Sequence, residues 1–394
     1  MNLNLTYVPN DEAALLKSED IVRYSGNALE YKMYEDATIY IDRGGICRGG
    51  VDKFGDIIHN TMFHEFHERW ESPKNISLDD FETKNEDVVF LGVLANVFGH
   101  AITDNLRKVW FLLSDYYVEI KRQNPNIKVV FAPLNESIKE NTLKILKLAN
   151  VQEDLVEIKK STRFRSVIIP DNSMCWVGDN STEGDAGGHR YWTNEFKNTV
   201  DTIIKNVSSI ATEGNNPIYD KIYLSRTHLN KGNREFGEED VERAFARHGY
   251  KVIHPQELSI EEQIWLCNNC KAFAATVGSI SHLSVFCRNE TKVYYLTKVK
   301  FAYDYQFMID DLKQHNVTYI NCNHTLAPAW QPWSGPFFLS QTKYLSKFFS
   351  EKHIDAYYVR PIYWKYLYHH YLPYAAKYTP VFIKKLLHKF IWTK

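Results

Sequence analysis

The chain has 394 residues, enough for two domains or one large one, and 44% hydrophobic with 24% charged residues marks a folded globular protein, not a disordered one. A formal net charge of −1 leaves no global field to gather a polyanion, so nucleic acid is not an expected partner. No stretch reaches the roughly 18 uninterrupted apolar residues of a membrane span, and Met1-Asn2-Leu3-Asn4-Leu5 carries no basic-then-apolar secretion signal.

Six scattered cysteines (Cys47, Cys175, Cys267, Cys270, Cys287 and Cys322) are therefore expected to be reduced thiols of a cytosolic protein. Cys267 and Cys270 sit in a helical pattern without a second pair, which reads as buried structure and not as zinc or redox chemistry.

In chain order, residues 38–59 read as strands punctuated by glycines. His59, His64 and His67 follow, but not at the spacing that sets two imidazoles on one helix face, so no metal is expected. Val88-Val89-Phe90-Leu91 is an apolar strand. After Phe98-Gly99-His100, the recurrence of Ala101, Ile102, Leu106, Val109, Trp110 and Leu113 predicts one strong helix. His100 and Asp104, four apart, share a face near its N-terminal end. A carboxylate beside an imidazole sets the tautomer and basicity of a general base; the same spacing also fits a capping Asp beside an incidental His. Strands at 127–131 and 166–169 and a helix at 137–148 continue an α/β alternation. Residues 171–190, rich in Gly, Asp, Asn and Ser and ending Gly187-Gly188-His189-Arg190, read either as a loop over an acceptor site or as a plain surface excursion. A helix over 191–210 and a linker at 211–217 follow.

Residues 221–286 alternate strand and helix at the spacing of a doubly wound nucleotide-binding half. Arg226 follows the first strand, with Lys231 and Arg234 nearby, and a guanidinium there can grip a diphosphate through forked hydrogen bonds. Glu257 follows the second strand, where an acidic residue takes up ribose hydroxyls. Gly278-Ser279 follows the third and is expected to open a helix whose N–H groups and dipole cradle a phosphate, with His282 one turn in as a donor to the leaving oxygen. Singly, each reads equally as a surface cation or a cap; together, in strand-end register, they point to a nucleotide-diphosphate site. Beyond Arg360 the chain has no acidic residue, and the basic amphipathic stretch 383–392 reads as an interfacial helix for an anionic leaflet, or as a helix packed on the first domain.

Gly99-His100-x3-Asp104 with Trp110, Leu224-Ser225-Arg226, Arg234-x4-Glu239, Glu257, Gln263 and Gly278-Ser279-x2-His282-x3-Phe286 together resemble glycosyltransferase family 61 over roughly residues 35–300, closest to its bacterial capsular polysaccharide biosynthesis members. The resemblance implies an α/β, GT-B-like fold with two facing Rossmann-like domains. On this chain the expected division is an acceptor-side domain at residues 1–210, a nucleotide-sugar domain at 218–325 and a C-terminal helical tail at 326–394, although residues before about 38 and after about 325 gain nothing from the resemblance. The resemblance implies inverting transfer from a UDP-sugar without an essential metal or other cofactor; with the basic tail, the reading is transfer to an oligosaccharide or lipid-linked glycan at the cytosolic face of a membrane.

In that reading His100 is the base, supported by Asp104; alternatively Asp104 is the base and His100 touches the donor. Arg226, Arg234, Gly278, Ser279 and His282 would hold the diphosphate and Glu257 the ribose, while Gln263 braces the donor domain. His189 and Arg190 would stand on the acceptor side. Eukaryotic members carry His-Gly-Ala-x-Leu-x-Asn where this chain has Val277-Gly278-Ser279-Ile280-Ser281-His282-Leu283, and Asn-Glu where it has Glu238-Glu239, so no particular sugar is implied. The rival readings are a pyruvyl or phospho-sugar transferase on the same scaffold and a non-catalytic glycan-binding or assembly protein.

Overall fold

The computed structural model describes residues 2–18, 22–41, 47–61, 81–134, 137–175, 190–211, 216–229, 235–299, 304–324, 337–351, 364–365, 367–373 and 376. The chain divides into two compact units. The first comprises Asp20–Asn216 with Asp304–Leu312; the second comprises Met1–Glu19, Pro217–Tyr303 and Lys313–Lys394.

Strand β1 (Asn2–Tyr7) and helix α1 (Asn10–Ser18) open the chain. β1 pairs in parallel with a strand 314 residues away (Asn2 opposite Asn316), so the opening residues lie with the second unit. The division at 1–210 assigned them to the first. Hydrogen-bond pairing across the whole chain is invisible to local pattern.

The first unit contains β2 (Val22–Tyr24), β3 (Tyr31–Ile41), β4 (Cys47–Val51), β5 (Ile57–Ile58), β6 (Glu82–Leu94), β7 (Lys128–Pro133), β8 (Leu155–Glu157), β9 (Thr162–Pro170), β10 (Met174–Cys175) and β11 (Arg190–Trp192). Its main sheet has the order β5-β4-β3-β9-β6-β7-β8. The four strands β9, β6, β7 and β8 are parallel, and β3 to β5 add antiparallel strands to one side. Val88, Val89, Phe90 and Val93 of β6 and Val167, Ile168 and Ile169 of β9 are buried without alternation, the mark of strands covered on both faces. In chain sequence the parallel four run 3-2-1-4, the order of a Rossmann half, with the reversal between β6 and β9.

Residues 98–113, expected as one helix, instead form α2 (Phe98–Ala101), a 3-10 turn at Asp104–Leu106 and α3 (Val109–Leu112). Thr103 leaves helical space (φ −128°, ψ −87°), and the buried Asn105 side chain exchanges two 3.0 Å hydrogen bonds with the backbone of Ala95. The apolar spacing reported burial correctly for Ala101, Ile102, Leu106, Val109 and Trp110, but not the continuity of the backbone. After α4 (Asp115–Gln123) and α5 (Glu140–Leu148), α6 (Asn194–Ala211) buries Phe196, Val200, Ile203 and Val207 along one helical stripe.

The second unit holds β12 (Lys221–Leu224), β13 (Glu235–Phe236), α7 (Glu238–Arg247), β14 (Lys251–Ile253), α8 (Ile260–Asn269), β15 (Ala272–Thr276), β16 (Lys292–Thr297), β17 (Asn316–Asn321), β18 (Phe337–Phe338) and α10 (Lys343–Phe348). Between β16 and β17 runs α9 (Asp304–Lys313), most of which groups with the first unit. The six-stranded sheet, β1-β17-β16-β15-β12-β14, is parallel throughout. From β12 onward its order is 2-1-3-4-5, and the reversal lies between β12 and β15. Every residue of β15 is buried, and α8 starts with a full capping box between Ser259 and Glu262.

β18 pairs with β13, and Leu339 and Leu345 sit in the core of this unit, so part of the expected separate segment 326–394 is integral to it. The basic stretch 383–392 lies outside the described residues. Cys175, Cys267, Cys270, Cys287 and Cys322 are buried and form no disulfide among the described residues. Among the described residues no helix is long and apolar enough to cross a membrane.

Candidate active site

In open α/β sheets, ligands bind beyond the carboxyl ends of the strands where the strand order reverses. In the first unit those ends belong to β6, which leads to His100, and β9, which leads to Asp171. The two exits are fastened together. Trp110 Nε1 donates to the Asp171 carbonyl at 2.9 Å, while the Ser173 backbone N–H and hydroxyl donate to the Arg107 carbonyl at 2.8 and 2.6 Å. Lys108, 1% exposed, donates to the Pro170 carbonyl and, at 3.0 Å, to Asn60 Oδ1.

His100 Nδ1 lies 2.5 Å from Asp104 Oδ2, and Tyr305 of α9 donates its hydroxyl to the same oxygen at 2.5 Å while standing 2.8 Å from His100 Nδ1. Asp104 is 2% exposed, whereas the His100 side chain keeps 21% of its surface open. Burial alone would raise the Asp104 carboxyl, but the hydrogen bond and charge of His100, with Arg107 and Tyr305, hold it below its ordinary value. Burial, and then the Asp104 charge, push the Tyr305 phenol well above its usual range, so it stays a donor. A carboxylate on Nδ1 fixes the orientation of the ring.

In the second unit Arg226 follows β12 and Gly278 follows β15, the two strands at the reversal. Arg226 does not stand alone. Its NH1 lies 3.0 Å from Glu235 Oε1, and the same oxygen takes Lys298 Nζ at 2.6 Å. Lys298, directly after β16, is 3% exposed and lies over the Phe337 ring at 4.7 Å. Burial lowers its ammonium below the ordinary value, opposed by Glu235. Glu238 is pushed up to about 7 by burial first and by Glu235 second; its Oε1 accepts from the Arg226 N–H at 3.1 Å and the Tyr223 hydroxyl at 2.9 Å. Gly278 has φ +128°, and a Cβ there would stand 3.9 Å from Lys298 Nζ and 4.0 Å from Arg226 NH1.

The remaining expected residues divide. Gln263 braces the Pro255–Glu257 turn, donating to the carbonyls of Pro255 and Leu258 at 2.8 and 3.1 Å. Glu257 is half exposed and bonds His228 at 2.6 Å; His228 in turn stacks on His254 with centroids 3.6 Å apart. Gly278-Ser279 does not open an α-helix. A turn follows β15 and then a 3-10 helix, Ser281–Phe286. The Gly278 N–H is taken by Ser281 Oγ at 3.2 Å, so that donor is not bare; Ser279 is half-buried.

His282 is buried at 4% exposure in the 3-10 helix, not displayed one turn into an α-helix. Arg234 and His189 lie outside the described residues. Arg190 begins β11, which pairs antiparallel with β10 and parallel with β2. His64 and His67 are also outside, and among the described residues no group of three or more His, Cys, Asp or Glu is arranged to hold a metal.

Sequence reasoning missed Glu235, Lys298 and Tyr305. Lys298 carries the signal that selected Arg226, a cation just past the end of a strand. Tyr305 carries none, since it reaches Asp104 from 201 positions away.

The family described as Glycosyltransferase 61 matches residues 98–294, half of the chain and both clusters up to β16. The chain belongs to glycosyltransferase family 61. Two Rossmann-like α/β units, the make-up the resemblance implied, are present in this family member. Among solved structures it is similar to E. coli heptosyltransferase WaaC with ADP, at 10% identity and TM-score 0.31 over 67% of this chain and 97% of that one. It is also similar to a family 9 glycosyl transferase from Veillonella parvula, at 9% identity and TM-score 0.24 over 61% and 87%. Likenesses this remote carry no argument about the reaction. No curated protein matches the sequence.

Proposed function

We propose that this glycosyltransferase is a GT-B-like, inverting enzyme that moves a sugar from a UDP-sugar to an oligosaccharide or lipid-linked glycan in bacterial surface or capsular polysaccharide synthesis. The observation that carries this reading is a pair of cations beyond carboxyl strand ends of the second unit: the half-buried Arg226 after β12, at the strand-order reversal, and the buried Lys298 after the nearby β16. Two fixed positive charges are what a departing diphosphate needs, and they supply the neutralisation that other transferases take from a metal. No essential metal is therefore proposed.

His100 Nε2 takes the proton of the acceptor hydroxyl as its oxygen attacks the anomeric carbon. The bond from that carbon to the diphosphate oxygen breaks, and the negative charge leaves with the nucleotide. Asp104 and Tyr305 hold the imidazole oriented and stabilise its positive charge. Glu257, beside His228, is assigned to the ribose. The basic stretch 383–392 is assigned to an anionic membrane surface on its composition.

The test is calorimetric titration with UDP, with and without EDTA, on the parent and on Arg226→Ala. Micromolar-to-millimolar binding that survives the chelator and is lost in the variant is expected. Absence of binding in the parent would remove the UDP assignment.

A further inference from the structure

The cation pair already has an anionic partner, and it comes from the protein. Glu235 sits on β13, a two-residue strand whose backbone is fixed opposite Phe337 of β18. One of its oxygens, Oε1, contacts both Arg226 NH1 at 3.0 Å and Lys298 Nζ at 2.6 Å. The side chains of Arg226 and Glu235 are each 14% exposed and that of Lys298 3%, so water screens these contacts weakly. Both cations stand beyond carboxyl ends of the parallel sheet, β12 and β16, on either side of β15. There Gly278 withholds a side chain within 4.0 Å of both.

We propose that Glu235 is a resident pseudo-ligand of this anion site, a carboxylate that occupies the two cations in the free protein and must be displaced by the diphosphate of the donor. The inference rests on the donor-binding reading of the second unit and goes beyond it, by making one residue of that unit a competitor and not a contributor.

Charge decides the matter. Arg226 and Lys298 offer two positive charges. Glu235 cancels one, and Glu238 lies close enough for Glu235 to help push its carboxyl up. A diphosphate oxygen reaching Lys298 Nζ or Arg226 NH1 meets the Glu235 carboxylate at hydrogen-bond range, and like charges juxtaposed in a poorly screened site repel. Two outcomes avoid that repulsion: Glu235 swings away, or the diphosphate stays out. Free-state neutralisation of this kind keeps the buried Lys298 and the half-buried Arg226 from standing uncompensated. It also sets the affinity below what the bare cations would give, which suits a product that has to leave.

The sign of one substitution separates this role from ordinary preorganisation. Glu235→Gln keeps the shape and the Oε1 acceptor but removes the charge. A competitor predicts that inorganic pyrophosphate binds Glu235→Gln at least about tenfold more tightly than the parent, because the like-charge term is gone. A residue that merely positions Arg226 and Lys298 predicts weaker binding. Titration of pyrophosphate and of UDP into the parent, Glu235→Gln and Glu235→Asp decides between them, with a cooperative melt confirming that each variant is folded. Asp retains the charge and is expected to bind no more tightly than the parent.

If Glu235→Gln does not fold, Glu235→Ala takes its place with the same expected gain. Equal or weaker pyrophosphate binding in the neutral variants overturns the proposal, as does absence of pyrophosphate binding in parent and variants alike. Pyrophosphate binding without UDP binding would remove the nucleotide assignment, while the neutral variants would still decide the role of Glu235.

Discussion

Tyr305→Phe is a small change with a large expected signature. The phenol donates to Asp104 Oδ2 at 2.5 Å, Asp104 is 2% exposed, and the His100 ring meets the same oxygen at 2.5 Å. A hydrogen bond to a charged group contributes about 1.5–3 kcal/mol. Losing it removes one of the causes that hold the Asp104 carboxyl below its ordinary value, so that carboxyl moves up. Asp104 is the carboxylate partner of the proposed base, so a change in its charge stabilisation is expected to show in the acid limb of kcat/KM. If half of the lost hydrogen bond is felt there, the limb moves to higher pH by about one unit, since one unit is roughly 1.4 kcal/mol.

The assay is transferase activity of parent and Tyr305→Phe across pH 5 to 9, with UDP binding measured alongside. Tyr305 is outside the cation pair, so UDP affinity should hold. Activity near the parent's is expected on the alkaline side and a deepening loss on the acid side. A purely structural role would lower activity evenly across pH or lower only the melting temperature. An unmoved acid limb with folded protein would refute the assignment of Tyr305 as the positioning residue of the base.

Other expected outcomes address the scaffold and the base. Glu238 is pushed up to about 7, so its contribution to stability is fully present below the ordinary carboxyl range and is lost as pH rises through 7. Glu238→Gln, which escapes that loss of roughly 3 kcal/mol, should melt above the parent at pH 8 and not at pH 5. Gly237 has φ +75°, and a Cβ there would lie 2.1 Å from the Leu339 carbonyl; Gly237→Ala should cost about 3 kcal/mol or more in a denaturant melt. His100→Ala should lower kcat by about 100-fold or more while leaving UDP binding intact, and a kcat within tenfold of the parent's would remove His100 as the base.

Much of the second unit was legible because a parallel α/β sheet announces itself twice, by short apolar runs and by polar residues just past them. Arg226, Glu257 and Gly278 were placed past strand ends this way, and Gln263, expected as a brace, bonds the carbonyls of Pro255 and Leu258. His282 was misjudged because a histidine in a motif carries no sign of its own burial, and the 3-10 turn of Ser281–Phe286 puts it inside. Glu235 and Tyr305 were illegible for a different reason. Each acts through partners set beside it by strand pairing or helix exchange, namely β13 against β18 and α9 within the first unit.

The broken helix at 98–113 shows what the pattern does contain. Thr103, Asp104 and Asn105 are all buried, in a row, inside an apolar periodicity. A continuous helix satisfies its own backbone and has no use for three consecutive buried polar side chains. Here they do the work that the missing helical bonds would have done: Thr103 Oγ1 donates to the Gly99 carbonyl at 2.8 Å, and Asn105 closes a pair with Ala95. Asp104 is then free of backbone duty and turns its carboxylate to His100. A buried polar run within helical spacing therefore marks both the break and the residue that the break releases for chemistry.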